Sequence, residues 1–457
     1  MSLGTGTGTG VIGNGKAQMA YVFERFPSYT QTFCLREVTE LERRGLRPLV
    51  FSIHDTRDEV VGQDDDGISA RVTILPQGED LVDDVKRRKE KGELPKEAVL
   101  TLRYWGDRPD KKRVYEAIFI GENLRAAGLR HVHCHFAGLA ARTCWWIRQF
   151  YDITFSFTGH ANDLFCPEDY EISRQRLMAA ASRVVTVSNF TADYLRKGYP
   201  RAAGKVWRVY NGLDLAPIRD GKSAVEDEPP LLISVGRLIE KKGFEDLVRA
   251  CGRLVREGLA FRCEIIGDGE RRTRLEALIR EHGVEEVVAL TGARDQKYVI
   301  ERLHAARAFV LPCVTEADGG MDNLPTVIME AMAAGLPCVS TRLAGVPEMV
   351  VDGRTGFLVD EGAVDDLAGR MRCLLVDAGM ARRMGKEGLA RAEALFSKEK
   401  TAKQLMRALV SGGMVRWSGD LMRYDRLLLW SYLVQLRLRV LRLFGVGRSR
   451  KQRFPGS

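Results

Sequence analysis

The sequence predicts an α/β architecture: two doubly wound, Rossmann-like domains facing a cleft, with a basic helical tail. Three observations carry that prediction. Short apolar runs alternate with amphipathic helical patterns along most of the chain. The runs are apolar throughout instead of alternating with polar residues, as strands of a parallel sheet covered on both faces must be. The series also runs twice, interrupted by a charged, proline-bearing stretch at 214–230. A length of 457 residues exceeds what one core supports.

In chain order, residues 1–18 form a Gly/Thr-rich leader without the basic-then-apolar pattern of a signal peptide. Gly8-Thr-Gly-Val-Ile-Gly13 and Gly10 to Lys16 imitate phosphate-binding loops, but neither follows a strand, and Ala17 stands where a hydroxyl is needed for Mg²⁺. Strands are expected over 19–23, 48–53, 131–136, 153–158, 184–188 and 206–210, and helices over 33–44, 111–127 and 137–149. Residues 55–110 break the rhythm. Asp64-Asp-Asp-Gly and the Lys/Glu-rich 84–97 predict an exposed loop with one surface helix, the aspartates being solvated charge. After the linker a strand is expected at 231–235, then a helix whose buried face is Phe244, Leu247, Val248, Cys251, Leu254 and Val255. Strands at 262–266, 287–290, 308–312 and 337–341 follow, separated by helices at 271–282, 296–306 and 325–334. The expected divisions are a leader (1–18), a first domain (19–213), a linker (214–230), a second domain (231–410) and a tail (411–457).

Composition is ordinary for a globular protein, 45% hydrophobic and 29% charged. Nine cysteines without a Cys-x-x-Cys pair argue for a reducing compartment and against a disulfide framework. No apolar run reaches the 18 residues a spanning helix needs. The net charge is +9, and residues 414–457 hold ten Arg or Lys against two Asp. The body is therefore close to neutral, which argues against nucleic acid as a partner. Within the tail, the apolar stretch between Arg426 and Arg437 is too short to cross a bilayer. It suits a helix lying on an anionic membrane, or one packed on the first domain with a loose basic end.

The chemistry-bearing residues cluster in two places. Asp322-Asn-Leu-Pro-Thr-Val-Ile-Met-Glu330 puts one carboxylate in a Gly-rich loop and another inside a helix, with Pro325 at the helix start. The acids can meet the two ends of an elongated polar ligand, and the amides between them can meet an anion. Such a layout suits a nucleotide-sugar. Arg237 and Lys242 flank a turn at the C-terminal end of the first strand of the second domain, where open α/β sheets bind ligands. Two cations at a helix start oppose the helix dipole, which points to an anionic ligand such as a diphosphate. Gly267-Asp-Gly269 ends the next strand and lets backbone come close to a ligand. In the first domain, Phe155-Ser-Phe-Thr-Gly-His160 runs an apolar strand into a histidine overlooking the cleft. The bland counterparts are a solvated Asp, an ordinary helical Glu, surface cations and a core-edge His. His131, His133 and His135 share one strand face. They are read as partly exposed at a strand end and not as metal ligands, since zinc would need a fourth ligand and outer partners.

Taken together, Phe26-Pro-Ser-Tyr-Thr-Gln-Thr-Phe33, His133-Cys-His-Phe-Ala137, Phe157-Thr-Gly-His160, Asn211-Gly-Leu-Asp214, Gly236-Arg-Leu-Ile-Glu-Lys-Lys-Gly243 and Asp322 to Glu330-Ala-Met-Ala resemble the family 4 glycosyltransferases of the GT-B fold. The nearest subgroup is the colanic-acid and exopolysaccharide type, over about residues 19–410. The resemblance implies a retaining transfer from a UDP- or GDP-sugar to a glycan or lipid-linked acceptor, without metal or cofactor, in the cytoplasm or on the inner membrane face. It makes His160, Arg237, Lys242 and Asp322 the catalytic group. Arg237, Lys242, Gly267, Gly269, Asp322, Asn323, Leu324 and Glu330 would bind the donor, Glu330 taking the ribose hydroxyls. Two departures stand out: Asp322 replaces the usual Glu, and Gln31 stands where relatives often carry Glu near the acceptor. A sugar-nucleotide epimerase or hydrolase on the same fold, and a non-catalytic basic membrane-binding protein, are the alternative readings.

Overall fold

The computed structural model describes residues 18–28, 31–57, 71–166, 169–221, 228–411 and 414. Both phosphate-loop lookalikes, Asp64 and Asp66, and nearly all of the basic tail lie outside these residues. The first sheet contains β1 (Ala20–Phe23), β2 (Leu49–Ser52), β3 (Val72–Ile74), β4 (His131–His135), β5 (Thr154–Gly159), β6 (Arg183–Thr186) and β7 (Val206–Arg208), in spatial order β3-β2-β1-β4-β5-β6-β7. The second contains β8 (Leu231–Val235), β9 (Arg262–Ile266), β10 (Val288–Gly292), β11 (Ala308–Leu311), β12 (Cys338–Thr341) and β13 (Gly356–Val359), in order β10-β9-β8-β11-β12-β13. Every named pairing is parallel.

The two cores form for the same reason. Val22, Val132 and Phe155 are buried under helices that bring Ile118, Ala141 and Ile147 onto the sheet. Ile233, Ile265 and Val310 are covered by Leu247, Val248, Cys251 and Leu254 of the helix Phe244–Arg256, the face the spacing predicts. In each sheet the winding reverses beside the first strand, between β1 and β4 and between β8 and β11. The crevice at the strand C-termini there is where such sheets place ligands.

The structure corrects the expectation for 55–110. This stretch supplies edge strand β3 and two helices, Glu79–Glu90 and Lys96–Tyr104. A three-residue strand is too short to show periodicity, and Leu81 and Val85 alone of the first helix are buried. Alternation also continues past 341, through β13 and the helices Val364–Val376 and Ala378–Leu395. The chain crosses between sheets twice, and the crossings pair: Leu213 N–H donates to Phe396 O and Lys398 N–H to Leu213 O. The helix Lys398–Ser411 then lies on the first domain, where Arg183 donates to Ala408 O at 3.1 Å. No disulfide joins the nine cysteines. Among the described residues no helix is long and apolar enough to cross a membrane.

Candidate active site

In the second domain, β8 runs into Gly236-Arg237 and a single tight turn, Glu240–Lys242. Gly243 closes the turn at φ 66°, and a Cβ there would lie 1.7 Å from Pro312 O. Only glycine allows the loop after β8 to touch the loop after β11. The contact carries Lys242 Nζ to 2.5 Å from Asp322 Oδ2, both side chains mostly buried. Burial works against the Lys242 ammonium, but Asp322 and then Cys313 outweigh it and raise its pKa. Arg237 is exposed beside this pair. Gly267 and Gly269 serve a nearer partner than a ligand. A Cβ at Gly267 (φ 145°) would lie 1.9 Å from Gly236 O, and one at Gly269 would lie 2.7 Å from Leu238 O. They seat the loop after β9 against the loop that carries Arg237.

The segment after Asp322 is committed to packing. Leu324 is buried in the second core. Asn323, 2% exposed, donates from Nδ2 to His160 O at 2.7 Å, and its Oδ1 accepts from Ser188 Oγ at 2.6 Å. Its side chain therefore ties the domains together. Pro325 lies one residue before the helix Thr326–Ala333, not inside it. Glu330 sits on that helix 3.8 Å from Arg36 Nη2, which the first domain supplies. Burial raises the Glu330 pKa, and Arg36 opposes the rise. A second clasp is Glu348, whose carboxylate accepts from Asn189 N and Phe190 N at 2.8 Å, capping a first-domain helix where the dipole favours an anion.

In the first domain His160 follows β5 and is buried, and burial, then His135, hold its pKa well below 6.5. Its loop is fixed by Asp163, which accepts from Ala137 N (2.9 Å), Ala161 N (2.8 Å) and His160 N (3.1 Å). Burial raises the Asp163 pKa against those three amides. The expectation that His131, His133 and His135 are partly exposed is overturned: each is at most 1% exposed. Hydroxyls on β5 make that burial possible. His131 bridges Thr154 and Ser156, and His133 bridges Ser156 and Thr158, at 2.6 to 2.9 Å. Glu37, His133 and His135 bring one donor atom each within 4.8 Å of one another, the one such group among the described residues. Those atoms already hold hydrogen bonds within the protein.

The two halves meet. Asn323 joins His160 to the loop of Asp322, and Lys241 Nζ donates to Asn162 Oδ1 at 3.3 Å. Next to this junction is a cavity of about 340 Å³, bordered by Glu24, Gln31, Asn162, Asp163 and Tyr170. It places Gln31 on the first-domain side.

Residues 31–217 match the family model described as Glycosyltransferase Family 4, and residues 217–391 the one described as Glycosyl transferases group 1. The chain belongs to the family 4 glycosyltransferases. It is 37% identical over 203 residues to WcaL of Escherichia coli strain K12, described as a colanic acid biosynthesis glycosyltransferase; the match covers 44% of this chain and 50% of that protein. The chain thus spans about half the length of the curated relatives it matches. A glycosyltransferase from Rickettsia africae ESF-5 superimposes with a TM-score of 0.66 at 15% identity, over 87% of this chain and 99% of that one. HepE of Anabaena, crystallised with UDP, gives 0.63 at 16% identity, over 86% and 100%. At such identities the likeness is one of fold, the two-domain GT-B arrangement.

For this family 4 glycosyltransferase the structure adds candidate site residues that the sequence reading passed over: Arg36, Glu37, Asp163, Ser188 and Glu348. Asp163 had a signal, since an Asp three residues after a strand-ending His can accept the amides that the turn leaves open. Arg36 and Glu348 had none, because each acts on the other domain.

Proposed function

We propose that this protein transfers a sugar from a UDP- or GDP-sugar to a glycan or lipid-linked acceptor in cell-surface exopolysaccharide synthesis, with retention of configuration. The observation that carries the proposal is the Lys242–Asp322 pair at the β8–β11 switch point, 2.5 Å apart. Arg237 is exposed beside it, and His160 is pinned next to it by Asn323. The name of WcaL and the UDP bound to HepE support the same reading.

The donor lies on the second domain. Arg237, Lys242 and the backbone after Asp322 face its diphosphate and neutralise the charge that grows as the glycosyl bond breaks. Asp322 and His160 face the sugar, and Glu330 the ribose. The acceptor hydroxyl attacks the anomeric carbon on the face from which the nucleotide diphosphate leaves, and its proton passes to the departing phosphate oxygen. No covalent intermediate is required. The basic stretch 411–457, nearly all of it outside the described residues, is assigned to the inner face of an anionic membrane. Liposome binding unchanged in a chain ending near Ser411 would remove it from that role.

The test is radiolabelled sugar transfer by Arg237→Ala and Glu330→Ala. A loss of roughly a hundredfold or more is expected for each, with melting close to the parent. UDP or GDP near a hundred times its Kd should stabilise the parent by about 2.7 kcal/mol. Near-parent turnover in either variant contradicts the assignment.

A further inference from the structure

The hydroxyl ladder on β4 and β5 has a direction. The pairing sets His131 beside Thr154, His133 beside Ser156 and His135 beside Thr158. Thr154 Oγ1 donates to Arg130 O at 3.0 Å. Its oxygen is then left to accept, so His131 Nδ1 carries the proton and His131 Nε2 accepts from Ser156. Ser156 in turn accepts from His133 Nδ1–H, and His133 Nε2 accepts from Thr158. One proton per group fixes the whole row. Both histidines are held neutral by burial, His131 with its pKa pushed down to about 3.

His135 breaks the pattern. Its Nε2 is 3.0 Å from Glu37 Oε1 and its Nδ1 is 3.0 Å from His160 Nε2. The same Glu37 oxygen accepts from Tyr21 Oη at 2.6 Å, and burial followed by Glu37 keeps that phenol protonated. A carboxylate oxygen only accepts, so His135 must present Nε2–H to it. With a single ring proton, as on His131 and His133, His135 offers a lone pair on Nδ1, and His160 supplies the proton from its own Nε2. What remains on His160 is an unprotonated Nδ1, for which no described residue provides a hydrogen bond. The ring is clamped by Phe136 and Phe33, with centroids 4.5 and 4.7 Å away.

We propose that Glu37 and His135 are positioning residues that hold His160 in its Nε2–H tautomer, so that Nδ1 accepts a hydrogen bond from a hydroxyl of the sugar. This rests on the reading of His160 as a sugar-contacting residue. The carboxylate–imidazole–imidazole chain sets both the ring orientation and the sense of the hydrogen bond. A donor sugar that presents a hydroxyl there is matched, and one that lacks it forfeits that hydrogen bond.

The choice of variants follows from the polarity. Gln in place of His135 can accept from His160 Nε2–H through its oxygen and donate to Glu37 through its amide. Phe in that place can do neither. Nitrogen-15 histidine NMR on the full chain, with His160 assigned by its loss in His160→Gln, reads the tautomer without any substrate. The Nε2–H form is expected in the parent and in His135→Gln, and a tautomer mixture in His135→Phe and Glu37→Leu. In transfer assays His135→Phe should lower kcat about tenfold to a hundredfold with little change in donor KM, and His135→Gln should recover most of it. The Nδ1–H form in the parent, His135→Phe turning over like the parent, or His135→Gln falling as far as His135→Phe would each overturn the chain. So would a stoichiometric metal ion in the purified protein that is lost in Glu37→Leu, since Glu37 and His135 would then be ligands. If the parent transfers no sugar, the functional reading fails, while the tautomer spectrum still decides the hydrogen-bond chain.

Discussion

The two sheets offer the same crevice, yet they furnish it with opposite materials. Along β4 and β5 the polar groups are buried or half-buried and tied to one another by hydrogen bonds: three histidines, three hydroxyls and, just past β5, one carboxylate gripping three backbone amides. At the end of β8 and β11 the groups are charged and few: the mostly buried Lys242 against Asp322, with exposed Arg237 beside them. A saturated buried network has one low-energy arrangement, because any rearrangement leaves a polar group unpaired. A lone buried ion pair, by contrast, leaves each ion dependent on one opposite charge that an incoming anion can replace. On the proposed function, the first domain holds a ring still and the second exchanges an internal ion pair for an anionic ligand.

The same substitution made on both sides gives the largest contrast. Asp163 uses both oxygens as acceptors, for the amides of Ala137, His160 and Ala161. Asn offers one acceptor and turns an NH₂ toward an N–H. Asp163→Asn is therefore expected to lose roughly 2–4 kcal/mol, from one or two buried amides left open at about 1–3 kcal/mol each. Asp322→Asn leaves the mostly buried Lys242 ammonium without its countercharge and should cost about 3–5 kcal/mol, while losing transfer. Saturating UDP or GDP should restore that loss in Asp322→Asn but not in Asp163→Asn. Urea unfolding of the two variants with and without nucleotide decides the matter, and equal recovery would dissolve the distinction between the sheets.

Next in size is the response to pH. Burial holds His131 at about 3, and it also holds His133 and His160 well below 6.5. Between those values and 6.5 the unfolded chain binds protons that the folded chain refuses. Stability therefore rises with pH in that window and drains away as pH falls from about 6.5. Each such histidine contributes about 1.4 kcal/mol per pH unit. No tryptophan falls within 214–410, and Trp417 and Trp430 lie in the tail, so tryptophan fluorescence of a Trp417→Phe/Trp430→Phe variant in urea follows the first domain. Glu116, raised to about 7 by burial, works with the opposite sign and offsets about one histidine's share, and the raised Asp163 and Glu24 add to that offset. His131→Gln should therefore flatten the fall of the midpoint between pH 6.5 and 5 by about one histidine's share relative to the parent. An unchanged slope in His131→Gln would mean that the ladder admits protons.

Much of this contrast is legible in the sequence, and the remainder is missing for identifiable reasons. Apolar strands such as Leu231–Val235 and Arg262–Ile266 declare themselves because a strand buried on both faces has no polar alternation to blur it. Arg237, Lys242, Asp322 and Glu330 are readable as charges at a turn and on a helix. The histidines of β4 are visible as a pattern, but their burial is not. It depends on Thr154, Ser156 and Thr158 of a neighbouring strand, and pairing partners are not written in either segment alone. Arg36 and Glu348 belong to the same class, since each meets its partner only after two separately folded domains close.

Arg36 also supplies the smallest test. Its guanidinium approaches Glu330 at 3.8 Å, with both side chains partly exposed. Such a pair is worth no more than about 1 kcal/mol, or roughly fivefold in an equilibrium constant. If Glu330 takes ribose hydroxyls, Arg36 competes for one of its oxygens, and Arg36→Met should tighten UDP or GDP by up to about that factor in calorimetry. The change should leave the first-domain urea midpoint in place, because Arg36 is no part of the histidine ladder. Weaker nucleotide binding would show instead that Arg36 is itself a donor ligand reaching across from the first domain. The clean division between a domain that fixes a ring and a domain that grips an anion would then have to include one mobile cation from the rigid side.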